Sequence, residues 1–319
     1  MTQSSSPPAS LRGVFVPLIT PFDADGRVDT GAIAALARDV LDAGAAGVVA
    51  LGTTAEAGTL DAAEKRAVIE TCAAICGPRG ATLIVGAGSS DTRASLVALA
   101  ELAELAEWPA IGAALVPVPY YTRPGEAGVL AHFARLAAGS PVPLVVYHIP
   151  YRTAQPLSAA ALRELGRLPN VAGMKFATGG LDREAVDLLG DCPPGIAVLA
   201  GDDLYLSPLL ALGAAGGILA SAHLGTRHFA ALAAAWADGD AERARPLGHA
   251  LARISAAAFA EPNPVVIKGA LHAQGRIPTP DVRLPLLPAG PGPVRELLAR
   301  LGELEDPAVR RTEPVSSPA

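Results

Sequence analysis

The sequence predicts an α/β fold, a (β/α)₈ TIM barrel followed by a C-terminal all-helical extension. Three observations point there. Eight short apolar or β-branched runs recur at residues 14–20, 46–53, 81–88, 111–119, 142–150, 171–177, 196–203 and 216–222. Amphipathic helical patterns separate most of them, most clearly at 30–43, 61–76, 92–106 and 125–138. Beyond residue 224 the pattern turns purely helical, near 226–238, 241–260, 264–273 and 294–301. Strands that alternate with helices build a parallel sheet covered on both faces. Eight of them close a barrel. A doubly wound sheet, the rival, usually carries a glycine-rich phosphate turn after its first strand, and residues 14–22 contain none.

Taken in order, most of the runs end in Gly, Thr or Pro, the punctuation expected where a strand gives way to a loop. Asp61 opens the second helical pattern as an N-cap, with Glu64 three positions on to complete a capping box. The longest uncharged apolar stretch, residues 204–222, is broken by Pro208, Gly213, Gly216 and Gly217. It reads as a helix and then a strand rather than a membrane span. The chain thus divides into a polar, Ser/Pro-rich tail at 1–10, a barrel at 11–225, the extension at 226–305 and a second tail at 306–319.

Half of the 319 residues are hydrophobic and 18% are charged, enough for a large core. The net charge of −6, with no run of basic residues, argues against nucleic acid as a partner. The N-terminus has no apolar segment of the export type, which makes the cytoplasm the expected compartment. Cys72, Cys76 and Cys192 read as free thiols.

Lys175 stands out chemically. The chain has three lysines, Lys65, Lys175 and Lys268, against 22 arginines. Lys175 alone is read as lying on a buried strand, Val171-Ala172-Gly173-Met174-Lys175-Phe176-Ala177. Arginine cannot lose its proton in a protein, whereas a lysine can, and its neutral amine is a nucleophile. At an ordinary pKa only about 0.04% of the amine is neutral at pH 7. Lowering the pKa by about three units frees roughly a third of it, at a cost of about 4 kcal/mol.

Barrel enzymes place their chemistry at the C-terminal strand ends. Those ends carry Thr53, Thr54 and Glu56, then Tyr120 and Tyr121, then Tyr147, His148, Tyr151 and Arg152, then Lys175, then Gly201, Asp202 and Asp203. Each has a plain structural reading. Threonine pairs form turns, Asp202-Asp203 can start a helix, His148 can pack, and Glu56 can be a structural carboxylate. A strand lysine can sit in a buried ion pair. Their convergence on one rim favours catalysis: a lysine forming an imine, a tyrosine and a threonine moving protons, and an arginine gripping a carboxylate.

Together these segments resemble the dihydrodipicolinate synthase/N-acetylneuraminate lyase family of pyruvate-dependent class I aldolases. The marks are Pro17-Leu18-Ile19-Thr20-Pro21, Gly52-Thr53-Thr54, Pro119-Tyr120-Tyr121, Tyr147 with Arg152, Lys175, Gly201-Asp202-Asp203 and Glu261-Pro262-Asn263-Pro264. The resemblance implies that Lys175 holds pyruvate as an imine and that Tyr147, Thr53 and Tyr121 relay protons. Tyr121 would do so by entering a neighbouring subunit. Thr54 would bind the pyruvate carboxylate, with Gly201 and Ile218 lining the same pocket. Arg152, typical of the synthase branch, would hold the carboxylate of L-aspartate 4-semialdehyde, and the product would be 4-hydroxy-tetrahydrodipicolinate of the lysine and diaminopimelate pathway. The resemblance further implies no metal or organic cofactor, small-molecule substrates, no nucleic acid or membrane partner, and a homo-oligomer, a dimer or a homotetramer built as a dimer of dimers.

The chain departs from the family pattern at Ala55, His148, Tyr151, Phe176 and His223. Strand alternation turns Phe176 outward, between barrel and helices. The departures as a group are expected near the second substrate. They leave open another pyruvate-dependent aldolase or dehydratase acting on a different aldehyde or sugar acid, and a non-catalytic paralogue that binds an oxo acid. Ala62 and Lys65 replace the histidines that bind feedback lysine in some synthases, so feedback through that site is not expected.

Overall fold

Period-two alternation of apolar residues along each strand sorts the side chains into two layers. In a computed structural model, which describes residues 11–104 and 110–305, this alternation is realised in a closed parallel barrel. The strands are β1 (Gly13–Pro17), β2 (Gly47–Ala50), β3 (Thr82–Gly86), β4 (Ile111–Pro117), β5 (Leu144–His148), β6 (Val171–Phe176), β7 (Ala197–Ala200) and β8 (Gly216–Ile218). They pair in sequence order, and β8 closes on β1 through Gly13–Gly216 and Phe15–Ile218. One set of residues, including Phe15, Val49, Ile84, Leu115, Val145 and Leu199, fills the barrel interior. The alternate set, including Val16, Val48, Val85, Val146, Met174 and Val198, packs outward against the helices.

Helices Thr30–Asp42, Ala62–Cys76, Thr92–Glu104, Gly125–Gly139, Ala159–Gly166, Arg183–Gly190 and Leu206–Ala211 link successive strands. Asp61 and Glu64 form the reciprocal capping box, at 2.8 and 3.0 Å. Helix Ala222–Ala237 breaks from helical geometry at Gly225 and packs on β1. Helices Ala241–Ala258, Val265–Ala273 and Pro291–Glu305 follow. The two tails, 1–10 and 306–319, and the end of the 92–106 pattern lie outside the described residues. Among the described residues no helix is long and apolar enough to cross a membrane. Cys72 and Cys76 are buried free thiols, held in the protonated form by that burial.

Candidate active site

The register of β5, β6 and β7 sets the site. Tyr147 pairs with Lys175, and Lys175 with Leu199, so all three point into the barrel. Lys175 Nζ lies 4.3 Å from the centre of the Tyr147 ring. Both side chains are buried at the C-terminal end of the barrel, lining a small cavity. The cavity also takes in Thr53, Thr54, Arg152, Gly201 and Ile218. Seven of the eight residues singled out from the sequence therefore meet around one space. The eighth, Tyr121, does not line it; the residue is 92% exposed and its backbone takes a φ of 70°.

The two buried lysines behave differently. Lys268, on helix Val265–Ala273, is 0% exposed and pairs with Glu56 Oε1 at 2.7 Å. It also donates to the Asp281 carbonyl at 2.6 Å. Lys268 is thus a second buried lysine, on a helix rather than a strand, and Glu56 is its structural partner. Among the described residues no carboxylate stands within ion-pairing reach of Lys175. Burial pulls its pKa down to about 8, opposed by the more distant charges of Asp203 and Asp202 and assisted by Arg152. At that pKa roughly a tenth of the amine is neutral at pH 7, some two hundred-fold more than for a free lysine. Burial likewise drives the Tyr147 phenol up, which keeps it a proton donor, although Arg152 and the neighbouring Thr53 hydroxyl favour the phenolate.

The Thr53–Ala55 turn is a short 3₁₀ helix after β2. Its first N–H groups have no partner inside the helix. Thr54 Oγ1 accepts from Asn263 Nδ2 at 2.9 Å, leaving its own proton free to donate to an anion. Gly201 is a close approach: a Cβ there would lie 2.8 Å from Lys175 Cγ and 2.9 Å from Ala177 Cβ. Gly201→Ala is expected to push Lys175 aside and lower kcat by about 10²-fold, the usual effect of a misplacement near 1 Å. Steady-state rates beside a thermal melt of the variant check this.

Several cavity residues had no role assigned from the sequence: Asp203, Asn263, Phe259 and Tyr151. Asn263 and Phe259 come from the extension, which no strand pattern brings to the rim. Asp203 is buried, accepts from the Ser221 N–H at 2.6 Å, and is raised by burial to about 6. The departures from the family pattern do not gather at the cavity. His148 and Phe176 pair in register on the outer face, ring centres 5.7 Å apart. His148 follows inward-facing Tyr147, so alternation sends it outward; its burial lowers its pKa to about 4. His223 accepts from the Ile19 N–H at 3.2 Å and contacts the Ala220 carbonyl at 2.8 Å. Only Tyr151 reaches the cavity. No group of three or more His, Cys, Asp or Glu among the described residues could hold a metal.

A buried, unpaired amine against a phenol at the catalytic end of a barrel defines the class of protein: an imine-forming class I lyase. The match of residues 10–300 to the model of the dihydrodipicolinate synthetase family places the chain in that family. The 4-hydroxy-tetrahydrodipicolinate synthase of Prochlorococcus marinus (strain MIT 9303) is 36% identical over 291 residues, covering 90% of this chain and 93% of its own. Among solved structures, the 4-hydroxy-tetrahydrodipicolinate synthase of Methylacidiphilum fumariolicum SolV superposes with a TM-score of 0.87 at 29% identity, over 95% of this chain and 99% of its own. The dihydrodipicolinate synthase of Acinetobacter baumannii, solved with pyruvate, gives 0.86 at 31% identity, over 92% and 99%.

Proposed function

We propose that the protein condenses pyruvate with L-aspartate 4-semialdehyde to give 4-hydroxy-tetrahydrodipicolinate. The observation that carries this reading is the shared cavity of an unpaired Lys175 and a guanidinium, Arg152. Neutral Lys175 attacks the pyruvate ketone, and Tyr147 protonates the hydroxyl that leaves as water. Thr54 holds the pyruvate carboxylate through its hydroxyl proton. The iminium draws electrons from the methyl carbon, which loses a proton through Tyr147 and Thr53. The resulting enamine attacks the aldehyde carbon while Arg152 grips the aldehyde's carboxylate bidentately. The substrate's own amine then attacks the imine carbon and releases Lys175, so one water leaves per turnover. Tyr121, exposed on this chain, serves the cavity of a neighbouring copy in a homo-oligomer.

Turnover of pyruvate with a panel of aldehydes tests the acceptor. Good rates with another aldehyde and none with L-aspartate 4-semialdehyde would overturn it. The amine must lose its proton before it attacks, so imine formation rises with pH through about 8. Between pH 7 and pH 8 the initial rate of pyruvate trapping is expected to climb about fivefold and then level off. A flat profile would mean that Lys175 is not the titrating nucleophile.

A further inference from the structure

The strand carrying Lys175 is flanked by β5 and β7, and a short polar bridge joins the loops at their ends. Tyr151, on the one-turn helix Pro150–Thr153 after β5, donates its hydroxyl to Asp202 Oδ1 at 3.2 Å. Asp202 follows β7, and its Oδ2 accepts the Gly179 N–H at 2.6 Å. Gly179 follows β6 itself, so the bridge crosses above the end of the Lys175 strand. Gly179 has a φ of 78°, and a Cβ there would stand 3.6 Å from the Tyr151 ring. The ring therefore lies over a residue with no side chain. Tyr151 lines the cavity beside Arg152, whose Cζ is 6.0 Å from the ring centre.

This arrangement determines which polar groups are left for an acceptor. Both Asp202 oxygens already accept hydrogen bonds, and Asp203 Oδ2 accepts from Ser221. The Tyr151 proton is committed to Asp202. The rim thus offers Arg152 as an open donor to an anion, while each Asp202 oxygen, and Asp203 Oδ2, already has one of its acceptor positions taken.

We propose that Tyr151 is a specificity-determining residue: tethered to Asp202, it caps that carboxylate and walls the rim. It thereby restricts the acceptor to a short aldehyde bearing a carboxylate and turns away longer polyhydroxylated aldehydes. The proposal rests on the aldehyde-condensing reading above and goes beyond it in assigning the selectivity to one side chain. A polyhydroxylated chain needs acceptors for its hydroxyls, and leaving them unpaired in a confined site is strongly unfavourable. Removing only the hydroxyl, in Tyr151→Phe, frees Asp202 Oδ1. Removing the ring as well, in Tyr151→Ser, also opens the wall.

The experiment compares kcat/KM for D-erythrose and for L-aspartate 4-semialdehyde, each with pyruvate, in the wild type and both variants. Borohydride trapping of pyruvate on Lys175 is run alongside. The ratio of erythrose to semialdehyde is expected to rise at least about tenfold in Tyr151→Ser, equivalent to about 1.4 kcal/mol, and by a smaller factor in Tyr151→Phe. If both variants trap pyruvate and keep the wild-type ratio within about twofold, Tyr151 does not set specificity and the proposal is overturned. If the wild type traps pyruvate but does not turn over the semialdehyde, the acceptor reading fails and the proposal falls with it. If Tyr151→Ser does not fold, the nearly isosteric Tyr151→Phe decides: a ratio unchanged from wild type overturns the capping role.

Discussion

Replacing Lys175 by methionine is expected to abolish turnover and to make the protein more stable. The first effect follows from the imine. With no amine there is no covalent route, and kcat is expected to fall by at least about 10⁴-fold. Lys175→Arg is expected to fall as far, because a guanidinium keeps its proton. The second effect follows from linkage. Burial lowers the folded pKa of Lys175 to about 8, below its unfolded value near 10.4. A lysine depressed in this way opposes folding. The penalty is fully present below the folded pKa and fades as pH rises through the unfolded one. At pH 7 the shift amounts to roughly 3 kcal/mol, which methionine, similar in length and apolar, recovers. Denaturant titrations at pH 7 and above pH 10.5 are expected to show the gain at the first and its loss at the second. An equally unstable variant at pH 7 would mean that the lysine carries no desolvation penalty.

Lys268→Met is expected to do the opposite. The amine it removes is paired with Glu56 in a site where the two side chains are 0% and 1% exposed. Its loss leaves a buried carboxylate held by the Arg283 N–H at 2.8 Å, and one-sided removal of a buried pair costs about 3–5 kcal/mol. The double variant Glu56→Gln with Lys268→Met removes both charges and is expected to recover most of that loss. Equilibrium unfolding of the two single variants and the double measures the coupling. Additive losses would show that the pair acts as two independent side chains. Glu56 lies two residues after Thr54, with φ 54°, so this pair also anchors the loop that carries both threonines to the C-terminal extension. Asn263 makes the second tie, through Thr54.

The strands were legible in the sequence because each is a short apolar run, but their ends were not. The run at 46–53 ends as a strand at Ala50, since Leu51 turns to a φ of 55° and Thr53 begins a 3₁₀ turn. The run at 216–222 stops at Ile218, and Ala222 already belongs to the next helix. Apolar character alone does not distinguish a residue in the ladder from one that has just left it. Lys175 and Tyr147 were legible because both chemistry and alternation pointed inward. The same alternation, carried one residue on from Tyr147, places His148 outside, so its absence from the cavity was also open to reading. Lys268 was not legible as a buried ion pair. Its partner is 212 positions away, and its helix reads as an ordinary amphipathic segment. Asn263 and Phe259 were hidden for a similar reason, because their place at the rim depends on how the extension folds back over the barrel.

In the proposed function Lys175 takes up pyruvate as an imine. Incubation with pyruvate and borohydride, followed by peptide mass spectrometry, tests it most directly. The predicted result is a carboxyethyl adduct on the peptide containing Lys175, absent in Lys175→Met. An unmodified Lys175, or an adduct on Lys65 or Lys268 instead, would contradict it.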